Sequence, residues 1–96
     1  MMSKGKRILE ILTDENLDAI IYDGMDEALI GVYRGDIARP NMQESSIAIY
    51  SYVKFIEIYI KRDGMSEEEA VEFFDYNVAG GYIGEYQPIV IDDTGV

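Results

Sequence analysis

Nineteen acidic residues against eight basic ones in a chain of 96 give a formal charge of −11, a field that repels phosphate backbones and anionic bilayers and favours a basic partner or simple solubility. Cysteine and histidine are both absent, which removes disulfides, zinc ribbons, thiol nucleophiles, serine triads and imidazole metal sites from consideration. A chain this long holds one core, and a hydrophobic fraction of 48% with eight tyrosines and three phenylalanines predicts that it folds.

Gly5 to Leu12 sets Ile8, Leu9, Ile11 and Leu12 at helical spacing, which predicts a short first helix ending near Thr13. Lys4, Lys6 and Arg7 lie at its start, but Glu10 and Asp14 interrupt the apolar run, so no signal peptide is read there and a cytoplasmic location is expected. Ala19 to Tyr22 predicts a first strand closed by the Asp23-Gly24 turn, with Leu29 to Tyr33 as its partner and room for a helical turn over Met25 to Ala28. Arg34 to Ser45 is rich in turn formers and predicts the one long loop. Ser46 to Tyr50 predicts a third strand.

Ser51 to Asp63 is β-like by intrinsic preference, yet Lys54, Glu57 and Lys61 fall on one polar stripe and Ser51 suits a helix start. Lys61 and Arg62 suit the negative end before Gly64, so the pattern predicts a helix. Its apolar circumference is wide enough to predict a place at the centre of the core or beneath a second copy, hence a homo-oligomer and first of all a dimer. The apolar stretch Ile47 to Ile60 contains Lys54 and Glu57 and falls short of the roughly 20 residues of a membrane span.

Ser66-Glu67-Glu68-Glu69 is a capping box and predicts a helix start. Ala70, Phe73, Phe74, Asn77 and Val78 are assigned to its packed face, Glu68, Glu72 and Asp75 to its wet one. Gly80 and Gly81 are expected to stop it, Tyr82 to Gln87 to form a loop, and Pro88 to lead into a strand over Ile89 to Ile91. The predicted order is α-β-β-β-α-α-β over residues 1–96. That order implies a single α+β domain: a small, mostly antiparallel sheet of three to four strands with two or three helices on one face.

No phosphate-cradling glycine motif is present. Asp14-x-Asn16-x-Asp18 has the opening spacing of a calcium loop, but Ala19 stands where the glycine is needed and Met25 where the final glutamate is, which favours a capping or turn role. Asp23, Asp26 and Glu27 could join Asp92 or Asp93 in a carboxylate site for magnesium or manganese, although turns recruit aspartate for their own backbone. The acidic row Glu67, Glu68, Glu69, Glu72 and Asp75 reads as a solvated helix face or as a phosphate mimic. Tyr76 to Pro88 combines glycines, tyrosines, an amide and an acid; it reads as a cap and bend, or as a contact loop with tyrosines as rigid anchors.

Three blocks, Tyr22-Asp23-Gly24-Met25-Asp26-Glu27-Ala28-Leu29-Ile30-Gly31, Gly64-Met65-Ser66-Glu67-Glu68-Glu69-Ala70 and Asn77-Val78-Ala79-Gly80-Gly81-Tyr82-Ile83-Gly84-Glu85, together resemble a family of small acidic proteins encoded by bacteriophages. Gly81 departs from the alanine more usual in such relatives. The resemblance implies a viral accessory protein that blocks host machinery or defence, and it carries over no catalytic residue.

The expected function is therefore non-enzymatic: inhibition of a host protein with a basic surface, such as a CRISPR effector, in the host cytoplasm and with no direct contact to nucleic acid or membrane. The expected contact residues are Glu68, Glu72, Asp75, Asn77, Tyr82, Glu85 and Tyr86; no cofactor or metal is expected. Two alternatives stay open: an oligomer that sequesters a nucleotide-like ligand, and a carboxylate-metal hydrolase built on Asp23, Asp26 and Asp92.

Overall fold

The computed structural model describes residues 3–34, 46–79, 81 and 83–96. The chain runs α1 (Lys4–Glu15), a 3-10 turn (Asp26–Ala28), β1 (Leu29–Tyr33), β2 (Ile47–Ser51), α2 (Tyr52–Asp63), α3 (Glu67–Phe74), a π-helical turn (Asp75–Ala79) and β3 (Ile89–Ile91). This is an α+β fold around a three-stranded sheet of order β1-β2-β3. β1 and β2 pair antiparallel, with Leu29 opposite Tyr50 and Val32 opposite Ala48, and a register irregularity between Leu29 and Gly31. β2 and β3 pair parallel, Tyr50 opposite Val90, because the chain crosses over through α2 and α3 before it returns. The predicted loop Arg34 to Ser45 lies outside the described residues except for Arg34.

Aromatic side chains fill the core. Phe55 on α2 meets Tyr22, Tyr50, Tyr59 and Phe74 edge-on at centroid distances of 5.5, 5.6, 5.7 and 5.4 Å. Each such contact adds roughly 0.5–1.5 kcal/mol beyond the area buried. Leu12, Met25, Ala28, Leu29, Ala48, Ile56 and Ala70 complete the buried cluster.

The helix over the ambiguous stretch forms as predicted. Ser51 accepts from the Lys54 N–H at 3.1 Å, and Gly64 closes the far end in the left-handed conformation, φ 70°. A partner the sequence does not announce completes the start: Asp93 accepts from the Ser51 hydroxyl at 2.5 Å and from the Val53 N–H at 3.0 Å. None of the apolar side chains of α2 is exposed, since the sheet, the 3-10 turn and α3 cover them. Its width is thus explained inside one chain. One stretch of uncovered apolar surface lies on the far side of the sheet, where Tyr33 is 48% and Ile91 45% exposed beside Ile89 and half-buried Ile47 and Ile49. The register places these side chains on the face opposite Ala48 and Tyr50.

The strand expected over Ala19 to Tyr22 does not form. Those residues are extended, but their N–H groups find other partners: Ile20 donates to the Tyr86 carbonyl at 3.1 Å, and Tyr22 to the buried Tyr50 hydroxyl at 2.9 Å. A hydroxyl reaching out from the core replaces the ladder that a neighbouring strand would supply. α1 also runs longer than predicted, to Glu15. Asn16 then bridges it to β2, its amide donating to the Ser46 carbonyl at 2.8 Å while its oxygen accepts from the Asp18 N–H at 3.1 Å. This structural role accounts for the calcium-like spacing. Beside it Glu15 takes a two-pronged bond from Arg34, at 2.7 and 2.5 Å, and one from the Ser46 hydroxyl at 2.8 Å.

Candidate functional site

The capping box is formed: Ser66 accepts from the Glu69 N–H and Glu69 from the Ser66 N–H, both at 3.1 Å. The Glu69 carboxyl is held below its ordinary range, chiefly by that backbone bond. The packed face of α3 is narrower than predicted, consisting of Ala70 and Phe74 with half-buried Val71 and Val78. Phe73 instead lies at the boundary, 43% exposed, its ring against Tyr59 at 5.1 Å. Asn77 is exposed rather than packed, and its amide donates back to the Phe73 carbonyl at 2.9 Å.

Helical spacing then sets two columns side by side on the outside of α3 and the turn after it. One is Glu68, Glu72 and Asp75; the other is Glu69, Phe73 and Tyr76. All six are exposed, Tyr76 to 89%. Tyr76 opens the run to Pro88 read from the sequence as a cap and bend or a contact loop, but it and Phe73 are not among the expected contact residues. The sequence assigns Phe73 to the packed face because an apolar residue in an amphipathic helix reads first as core. The π-helical turn, a form that recurs at functional sites, carries Asp75 through Ala79 and continues the same surface past the last α-helical residue.

The C-terminal tail enlarges this acidic surface. Tyr52, Phe74, Asp75, Val90 and Asp92 line a shallow hollow of about 280 Å³. Burial raises the Tyr52 hydroxyl, and the charges of Asp75, Asp92 and Glu67 push it the same way. Carboxylates at opposite ends of the final third of the sequence thus act on one phenol. Asp92 is itself lowered by the hydroxyl and N–H of Thr94, both bonded to it.

The other predicted contact residues do not join this group. Glu85 is exposed, while Tyr86 is half-buried and fixed through its carbonyl to Ile20. The loop is braced by Gln87, whose side chain accepts from the Ile83 N–H at 3.0 Å. Among the described residues no hydrogen bond, ion pair or ring contact links Glu85 or Tyr86 to the α3 columns. Tyr82 and Gly80 lie outside the described residues. The residues of the metal alternative are also separated: Asp92 sits by Tyr52 at the start of α2, whereas Gly24, between Asp23 and Asp26, is bonded to Arg62 near its end, ~15 Å along the helix. Among the described residues no three acidic side chains are placed to share an ion.

The geometry defines a small α+β protein with an acidic and aromatic helix face. Among the described residues no helix is long and apolar enough to cross a membrane. Comparison with protein families, with curated proteins and with solved structures returns no match in any of the three.

Proposed function

We propose that this chain is a phage accessory protein that binds and inhibits a basic surface of a host protein, using the α3 face and the turn that follows it. The observation that carries the reading is Tyr76, an aromatic ring 89% exposed beside Glu72 and Asp75 on a helix end with no basic residue from position 64 onward. Exposed carboxylates steer a basic partner and raise the association rate; an aromatic ring supplies contact area that persists in the complex. The target fits a protein whose own cations serve nucleic acid, such as a CRISPR effector in the host cytoplasm, because spaced carboxylates resemble a run of phosphates. The same charge disfavours direct contact with nucleic acid or an anionic membrane.

The test is kinetic. A partner captured on tagged protein during infection is measured against two variants. Replacing Glu68, Glu72 and Asp75 by Lys is expected to slow association and flatten its salt dependence. Tyr76→Ala is expected to speed dissociation by about 30-fold, the equivalent of the ~2 kcal/mol of an aromatic hot spot. If both variants keep their circular dichroism and bind the captured partner with unchanged rates, this face is not the contact.

A second copy is the other partner supported by an observation. Among the described residues the exposed side of the sheet, Tyr33, Ile47, Ile49, Ile89 and Ile91, carries no charge. Chains of charge −11 meet with least repulsion through an uncharged face, and a two-fold pair would place like surface on like. Ile91→Lys should then convert a dimer seen by light scattering into a monomer; a chain that is already monomeric at micromolar concentration refutes the pairing.

A further inference from the structure

Of the eight basic residues in this acidic chain, four converge on a single cleft. Lys6, Lys54, Lys61 and Arg62 border a cavity of about 710 Å³ between the start of α1, the turn at Gly24 to Glu27, and α2. That volume lies within the ~300–1,000 Å³ of small-molecule sites. Two of the four cations are committed. Lys6 pairs with Asp26 at 3.4 Å, and Arg62 donates to the Gly24 carbonyl at 2.9 Å while forking onto Asp63 at 3.0 and 3.1 Å.

The other two have no direct partner, although the charge of Lys54 acts on the Asp93 carboxyl. Among the described residues neither the Lys54 nor the Lys61 ammonium makes a hydrogen bond or ion pair. They stand two helical turns apart on the same side of α2, ~10 Å along its axis, with Glu57 and Ile58 between them. Two ammonium groups with no direct partner thus border one hollow in a chain of net charge −11. The cleft also contains Glu27 and Glu57, which accept hydrogen bonds but cannot donate them when ionised. The lining therefore asks for a ligand with an anionic group for the lysines, hydroxyl or amino donors for the glutamates, and an apolar surface for Ile58. A long polyanion does not suit, because beyond a Debye length of about 10 Å it meets the carboxylates of the rest of the surface.

We propose that this cleft binds a small phosphorylated molecule of the size of a sugar phosphate or nucleoside monophosphate, its phosphate on Lys54 and Lys61 and its hydroxyls on Glu27 and Glu57. A dianionic phosphate neutralises both lysines at once, which a single carboxylate does not. The site is remote from the proposed contact face on α3, so it stands or falls separately from that reading.

Amide chemical shifts of the full chain, titrated with AMP, ribose 5-phosphate and adenosine, provide the test and report folding in the same spectra. AMP and ribose 5-phosphate should give saturable shifts confined to residues 24–27 and 54–62, and adenosine should not. Lys54→Gln and Lys61→Gln should each weaken AMP binding by about tenfold, the equivalent of ~1.4 kcal/mol. Lys4→Gln, outside the cleft, should leave it unchanged. Absence of saturable shifts with both phosphate esters, or AMP binding that survives the double Lys54→Gln, Lys61→Gln substitution, overturns the proposal.

Discussion

Gly5 lies in the first turn of α1, where alanine is ordinarily the better helix former by up to ~1 kcal/mol. The fold predicts the opposite sign for Gly5→Ala. A Cβ added at Gly5 would stand 1.9 Å from the carbonyl oxygen of Asp26 and 2.8 Å from its carbonyl carbon. Ordinary contact begins near 3.4 Å, so one backbone must retreat by about 1.5 Å, and the obstacle is main chain rather than a flexible side-chain end. Overpacking costs roughly 1–3 kcal/mol, and a main-chain obstacle places this site toward the upper end, which leaves a net loss of ~1–2 kcal/mol after the propensity gain. For a domain of this size 1 kcal/mol moves the melting temperature by about 4–8 °C, so Gly5→Ala should melt some 5–15 °C lower. Thermal and urea unfolding followed by circular dichroism measure it. A melting temperature equal to or above that of the parent would show that α1 does not approach the 3-10 turn so closely. The wall that brings Lys6 to Asp26 would then be drawn wrongly.

Three further outcomes follow from the polar contacts. Glu15 is held below its ordinary pKa mainly by the Arg34 guanidinium, so the pair's contribution is whole above pH 4.5 and is lost as the pH falls through the lower folded value. Glu15→Gln should flatten the acid limb of a stability curve and cost about 1 kcal/mol at pH 7; an unchanged acid limb would contradict the pairing. Burial pushes the Tyr50 hydroxyl up from 10.0 to about 12, so its contribution is present below pH 10 and declines as the pH climbs toward 12. Tyrosinate absorbance should therefore show a late-titrating fraction, to which Tyr22, Tyr52 and Tyr59 also contribute, and Tyr50→Phe should remove its latest part while costing ~1–3 kcal/mol by orphaning the Tyr22 N–H. Asp93→Ala, which strips the Val53 N–H and the Ser51 hydroxyl of their acceptor, should lower the urea midpoint by the equivalent of ~1–3 kcal/mol without changing the slope.

Most of the local structure was legible because its causes are local. The capping box at Ser66, the Ser51 cap, the Gly64 stop and the 3.6-residue spacing of α2 each lie within a few residues of the element they set. Glu68, Glu72 and Asp75 were correctly assigned to the wet side of α3 for the same reason. Reading failed where the partner is remote. Ala19 to Tyr22 has strand composition, but composition does not reveal that the Tyr50 hydroxyl, 28 residues away, takes the Tyr22 N–H.

The sequence by itself determined the fold class, all six main elements of secondary structure in outline with one strand too many, and an acidic character that no arrangement of the chain could cancel. It could not determine the direction of β3, which depends on where α2 and α3 return the chain, nor the side of the sheet left bare. Nor could it show that Lys6, from the first helix, would meet Lys54, Lys61 and Arg62 across one cleft, or that Asp92 would reach Tyr52 and Asp75. Periodicity reports which face of an element is apolar; only packing decides which faces meet, because the contacts that close the core join residues far apart in the chain.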